Sequence, residues 1–264
     1  MYHHPAHVQI QGKSRHLGAW KRDVPDHRDL KPKVTAARLP PQGAVKEFPN
    51  IPIRDQGEVG SCTGHGTTFA GNHLAYKLGK PVILSPLYLY YFTRVDYEHV
   101  DPTEDSGAQV RNAVKCFAQY GTPHESDWPY SPDTEKRFSV RPSRGAIKVA
   151  HTHQALKYVR LPDLKAVKQA IVSGYPVVGG FTCYESLQSD RTAKTGIVPN
   201  PKSRESTIGG HCVAFTAFDD SKKLVRFVNS WGTLWGDKGC GYLGYWYFEE
   251  GQADDFWIIT SEMV

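Results

Sequence analysis

Near residue 175 the hydrophobic rhythm of the chain changes, and that change limits the folds open to it. Upstream, apolar residues recur with helical spacing; downstream, short runs rich in β-branched and aromatic residues alternate with turns. Ser61 is placed to cap a helix that starts at Cys62 and stops near Gly79, and Ser85-Pro86 opens a second over Leu87 to Phe92. Ser106 opens a third, in which Val110, Ala113, Val114 and Phe117 share a face and Gly121 follows. Pro162-Asp163 opens a fourth, with Leu164, Val167 and Ile171 on one side and Gly174 behind. Strands are expected at Val177–Phe181, Cys212–Phe218, Leu224–Asn229, Gly241–Phe248 and Phe256–Thr260, with a hairpin turn at Asp219-Asp220-Ser221-Lys222. Helices first and strands second predict an α+β protein of two lobes, helical over about 48–135 and β-rich over about 136–264, with a cleft between them.

The first predicted helix is unusual. It holds Gly64, Gly66 and Gly71, and each costs about 1 kcal/mol relative to alanine. Tertiary packing must hold such a helix, and its small residues let another element come close. Ahead of it, residues 1–47 show little periodicity, and six prolines lie within the first fifty residues, so this stretch reads as an extended arm. Nine Lys/Arg stand against three Asp in residues 1–46, which puts +6 of the net +5 charge there and leaves the remainder at −1. A basic arm raises the question of nucleic acid or membrane contact. It lacks the aromatic spacing of a single-strand platform, so a solvated leader is expected and no nucleic-acid partner. No apolar run reaches the roughly 20 residues of a membrane span, and Met1-Tyr2-His3-His4-Pro5 does not start like a signal peptide, which leaves secreted and cytoplasmic locations both open.

Chemistry enters with a constellation. Gln56 stands six positions before Cys62, Gly57, Gly60 and Ser61 lie between them, Gly210-His211 follows far downstream, and Asn229-Ser230-Trp231-Gly232 comes later still. Singly, each residue has a structural explanation: a buried small thiol, one histidine among 12, a turn asparagine, a surface glutamine. Together they supply a nucleophile, Cys62; a base, His211; an orienting partner, Asn229; and an oxyanion donor, Gln56, with the Cys62 backbone N–H as second donor. A helix N-terminus and a protonated His211 both favour a thiolate at Cys62. The other cysteines, 116, 183, 212 and 240, form no Cys-x-x-Cys pair and do not resemble a zinc framework, so buried thiols and no metal or cofactor are expected.

Gln56-Gly57-Glu58-Val59-Gly60-Ser61-Cys62, Gly210-His211 and Asn229-Ser230-Trp231-Gly232 resemble the papain-like cysteine peptidases over roughly residues 50–264. Arg22-Asp23-Val24-Pro25-Asp26-His27-Arg28-Asp29 resembles the leader of bacterial members. The resemblance implies peptide or protein substrates, an acyl-enzyme thioester and a monomer. It implies a peptide-backbone site at Gly107, a pocket bordered by Gly180 and Gly210, and a Trp231 that shields the Asn229–His211 hydrogen bond at the edge of the substrate site. No feature caps the cleft, so an endopeptidase is expected. Val59, Thr63 and Ser106-Gly107 depart from the family pattern and imply that a common disulfide is missing. Part of residues 1–40 is expected to lie over or beside the Cys62 cleft as a propeptide does, and to hinder substrate. Two other readings compete. A transglutaminase-like or amidase Cys-His enzyme leaves Gln56 and Asn-Ser-Trp-Gly unexplained, and a binding module using the basic arm needs none of the four site residues.

Overall fold

The computed structural model describes residues 6–17, 19–30, 32, 38–131, 137–154 and 157–260. The chain is α+β. Its helices begin with α1 (Cys62–Lys77), α2 (Pro86–Phe92) and α3 (Val110–Tyr120), followed by α4 (Arg144–Ala150), α5 (Leu164–Val172), α6 (Asp190–Thr195) and α7 (Tyr245–Glu249). The strands are β1 (Ala6–Ile10), β2 (Lys13–Leu17), β3 (Trp20–Lys21), β4 (Gln42–Ala44), β5 (Ala108–Gln109), β6 (Lys157–Leu161), β7 (Val177–Tyr184), β8 (Ile197–Val198), β9 (Thr207–Asp219), β10 (Leu224–Val228), β11 (Cys240–Gly244) and β12 (Ala253–Thr260). The main sheet runs β6-β12-β7-β9-β10-β11-β8, and β4 joins it along β9. All its pairings are antiparallel except β8 with β11.

Local chemistry explains the helix ends. Ser85 accepts a hydrogen bond from Tyr88 N at 3.2 Å and Asp163 from Ala166 N at 2.8 Å, each satisfying a first-turn donor. Gly121 and Gly174 follow α3 and α5 with φ of 71° and 81°, a conformation that glycine adopts without steric cost. The glycines of α1 do what their number suggested. A Cβ at Gly64 would lie 2.6 Å from the Pro86 carbonyl oxygen, and one at Gly71 2.7 Å from the Phe117 ring. α2 and α3 therefore seat against α1 at glycine, and α1 is buried on nearly every side from Cys62 to Leu74.

Several expectations need correction. Ser106 does not open α3. Gln109 is its N-cap residue, because Ala108 and Gln109 pair in parallel with Trp20 and Lys21. Gly241–Phe248 is not one strand: β11 ends at Gly244, and Tyr245–Glu249 turns into a helix. Residues 6–17, part of the stretch expected to be an extended arm, form the β1–β2 hairpin around Gln11-Gly12, both at positive φ. Cys116, Cys183, Cys212 and Cys240 are free and buried, as expected, and Cys62 is free and buried as well. No helix among the described residues is long and apolar enough to cross a membrane.

Candidate active site

Cys62 is the first residue of α1 and is fully buried. Ser61 precedes it as N-cap, yet its hydroxyl does not cap the helix. That hydroxyl lies 2.8 Å from the Tyr130 hydroxyl, which itself donates to the Gln56 carbonyl at 2.6 Å. Tyr130 has one proton to give, so Ser61 donates to Tyr130, and the turn before Cys62 is tied to the segment carrying Gln56.

His211 sits on β9 opposite Phe181 of β7. Its Nε2 is 2.7 Å from Asn229 Oδ1, and the Ser230 backbone N–H donates to the same oxygen at 2.8 Å. A backbone N–H can only donate, so it fixes which end of the Asn229 amide is oxygen. That end in turn requires the proton of neutral His211 to be on Nε2. The lone pair is then on Nδ1, which is buried with no hydrogen-bond partner. Trp231 stacks on the imidazole with centroids 4.6 Å apart and is 2% exposed, so its ring covers the His211–Asn229 bond.

Gln56 is buried beside this group. Its Oε1 accepts from Ser230 Oγ at 2.5 Å, and its Nε2 donates to the Val59 carbonyl at 2.8 Å. The amide has a second N–H, the one a developing oxyanion could receive. The Gln56 backbone N–H donates to the Ser230 carbonyl at 2.8 Å, and Gly232 N to Arg54 O at 2.9 Å. The strip 54–56 and the strip 230–232 are thus stitched together, which brings the first and last sequence signals to one place.

Electrostatics depart from the expected thiolate. Burial pushes the Cys62 thiol up to about 12, against backbone hydrogen bonds from Cys212 and Thr63 that favour the anion. Burial pulls His211 down to about 4, against the Asn229 hydrogen bond. Desolvation outweighs the helix terminus, and thiol and imidazole are both neutral in this form.

The arm packs beside this group. Arg15, itself buried, forms an ion pair with the partly exposed Asp55 and donates to the Trp231 carbonyl at 3.3 Å. His16 Nδ1 lies 2.8 Å from Asp105, whose carboxylate also accepts from Gly60 N at 2.8 Å and from the Tyr90 hydroxyl. A Cβ at Gly60 would meet the His16 ring at 2.8 Å. Farther along, the Ala19 backbone lies on Gly107, and the Trp20 ring lies on Gly180 and Gly210; a Cβ at Gly210 would be 2.7 Å from it. Three of the four residues expected to touch substrate therefore lie beneath Ala19 and Trp20, and the fourth, Trp231, lies against His211. Past the cleft, Asp23 and Asp29 reach Arg111, with Asp29 in a buried ion pair at 2.5 Å. Asp55, Asp105, Tyr130 and Asp255 escaped the sequence reading. Their respective partners Arg15, His16, Gln56 and Trp20 lie 40 to 235 residues away, at no fixed spacing.

The profile of the papain family of cysteine proteases matches residues 42–256, and the chain belongs to that family. An uncharacterized peptidase C1-like protein of Acanthamoeba polyphaga mimivirus is 37% identical over 219 residues, 78% of this chain and 69% of that protein. Cysteine proteinase 3 of Entamoeba histolytica is 26% identical over 194 residues, 71% of this chain, and the chain spans 58% of its length. Among solved structures, xylellain, a cysteine protease from Xylella fastidiosa, superposes with a TM-score of 0.84 at 27% identity, over 97% of this chain and 100% of that one.

Proposed function

We propose that this chain hydrolyses peptide bonds as an endopeptidase through Cys62, His211, Asn229 and Gln56, and that its N-terminal arm restrains the reaction. The division of the chain follows: an arm over about residues 1–47, then a peptidase domain with a helical part to about 135 and a β part beyond. One observation carries the catalytic reading. His211 Nε2 is held by Asn229, which leaves the unpartnered Nδ1 as the nitrogen able to take the thiol proton. The roles run in sequence. His211 removes the Cys62 proton, and the sulfur attacks the scissile carbonyl. The second Gln56 N–H and the Cys62 backbone N–H receive the oxyanion. The imidazolium then protonates the leaving amine, and water releases the acyl group from sulfur.

The restraint has a direct physical basis. A solvent-excluded thiol and imidazole both favour their neutral forms, and Ala19 and Trp20 lie where a peptide would. Two measurements test the reading on the full chain. A fluorogenic dipeptide series reports turnover, and an epoxide inhibitor of cysteine peptidases reports modification at Cys62. Turnover that survives in Cys62→Ala refutes the nucleophile. Turnover unchanged in a chain whose arm contacts are broken refutes the restraint.

A further inference from the structure

Next to Asn229, α1 and the end of β10 border a crevice of about 20 Å³. One water needs roughly 10–15 Å³. Four polar side chains of its wall are already engaged. Ser230 Oγ donates to Gln56 Oε1, Thr68 Oγ1 to the Gly64 carbonyl and Arg54 Nη1 to Glu125, while Asn72 Oδ1 accepts from the Leu84 N–H. Two wall residues, His65 and Asn229, each keep a free polar atom. His65 Nε2 and Asn229 Nδ2 are buried with no hydrogen-bond partner among the described residues, and the two residues are 6% and 4% exposed.

The two free atoms are complementary. His65 Nδ1 lies 3.0 Å from the Ser61 carbonyl, which can only accept, so Nδ1 carries the proton and Nε2 a lone pair. Burial pulls this imidazole down to about 3, so the ring is neutral near pH 7. The Ser230 N–H fixes Oδ1 of Asn229, so the other end of that amide is its NH2 group, a donor. An acceptor and a donor thus line a space of one water, and leaving either unpaired is costly. A cation would face the amide N–H, and an apolar occupant would satisfy neither atom.

We infer that a single water in this crevice donates to His65 Nε2 and accepts from Asn229 Nδ2, and that His65 is through it a positioning residue for Asn229. The Ser230 N–H and His211 both meet Asn229 at Oδ1. Two bonds to one oxygen leave the amide plane able to pivot about it. Anchoring the NH2 end fixes the plane, and with it the direction in which His211 is held. A bridging water does this nearly as well as a direct hydrogen bond. The inference rests on the peptidase reading for its effect on turnover, though not for the water site.

The test has two parts, both on the full chain. A crystal structure at neutral pH and atomic resolution should show one ordered water within hydrogen-bonding distance of both atoms. A crevice without it overturns the inference whatever the kinetics show. The kinetic part uses the reach of two amides: that of glutamine falls near the Nε2 position of histidine, and that of asparagine near the Nδ1 position. His65→Asn should lower kcat by about tenfold with KM changed by less than about twofold, and His65→Gln should recover most of that loss. In an Asn229→Ala background, His65→Asn should cost nothing further, because the group it positions is gone. Equal losses in both backgrounds, or no recovery with glutamine, make His65 a packing residue and overturn the inference. Should His65→Asn not fold, His65→Met takes its place with the same expected losses. A bridging water in a chain that turns over no peptide supports the water site and overturns the peptidase reading instead.

Discussion

α1 and the arm both border the candidate site, and they are held there by opposite means. α1 has no acidic residue and one lysine, at its last position, and it meets α2 and α3 through Gly64 and Gly71. Nothing in that contact can be exchanged for water, so α1 cannot part from its neighbours without losing close packing. The arm reaches the body through Arg15, His16, Asp23 and Asp29, whose partners are Asp55, Asp105, Trp257 and Arg111. Polar groups of this kind are rehydrated when the contact opens. The glycine-knit region is held by close packing, and the arm is held by polar pairs that water can replace.

Substitutions can break or sharpen this contrast. The largest effect is expected at the helix start: Cys62→Ala abolishes peptide turnover while thermal melting shows a folded chain. His211→Ala should lose about as much, and the double variant no more than either, because the two act as a unit. A double variant far below the singles would separate them. Gln56→Ala should lower kcat by about 10²–10³-fold, the usual loss of one oxyanion donor. A normal kcat there would make the Cys62 backbone donor sufficient.

The contrast itself is tested by a matched pair. Arg15→Ala should raise kcat/KM several-fold with little change in Tm, since the Asp55 left behind is partly exposed and can be hydrated. Gly64→Ala should do the reverse, costing about 1–3 kcal/mol of stability through overpacking against Pro86, as read by denaturant unfolding. A destabilised Arg15→Ala beside an unaffected Gly64→Ala would invert the comparison. The smallest effect concerns His65 in α1, whose Nδ1 donates to the Ser61 carbonyl at 3.0 Å. Burial pulls its folded pKa down to about 3 from 6.5. The unfolded chain takes up that proton and the folded chain refuses it, so stability is lost as pH falls below about 6.5. His65→Asn keeps a donor to Ser61 and should flatten the fall in Tm between pH 6.5 and 4.

What could be read from sequence followed from how locally each feature is encoded. α3 and α5 were legible because one face is apolar and their caps lie within a few residues. Gln56, Cys62, His211 and Asn229 were legible as residue types in order, and the structure adds the Ser230 N–H that orients Asn229. The β1–β2 hairpin was not legible. Its strands alternate weakly, and its buried members include Arg15 and His16, whose burial depends on Asp55 and Asp105 in a distant part of the chain. Ser106 misled for a related reason, since the strand that displaces the helix start comes from Trp20. The raised thiol pKa was hidden too: a helix terminus can be read from sequence, and the complete burial of Cys62 cannot.

β4 has one more consequence. It lies in the main sheet along β9, the strand carrying His211, and it is covalently continuous with the segment that lies on Gly107, Gly180 and Gly210. A cover tethered in this way is not diluted when it lifts; its effective concentration near the cleft stays in the millimolar range expected of a short tether. Under the proposed restraint, peptide substrate competes with that local concentration, and activity should depend on substrate supply and not on how dilute the protein is. The same arm sequence added as a free peptide should be a poor inhibitor until it approaches millimolar levels.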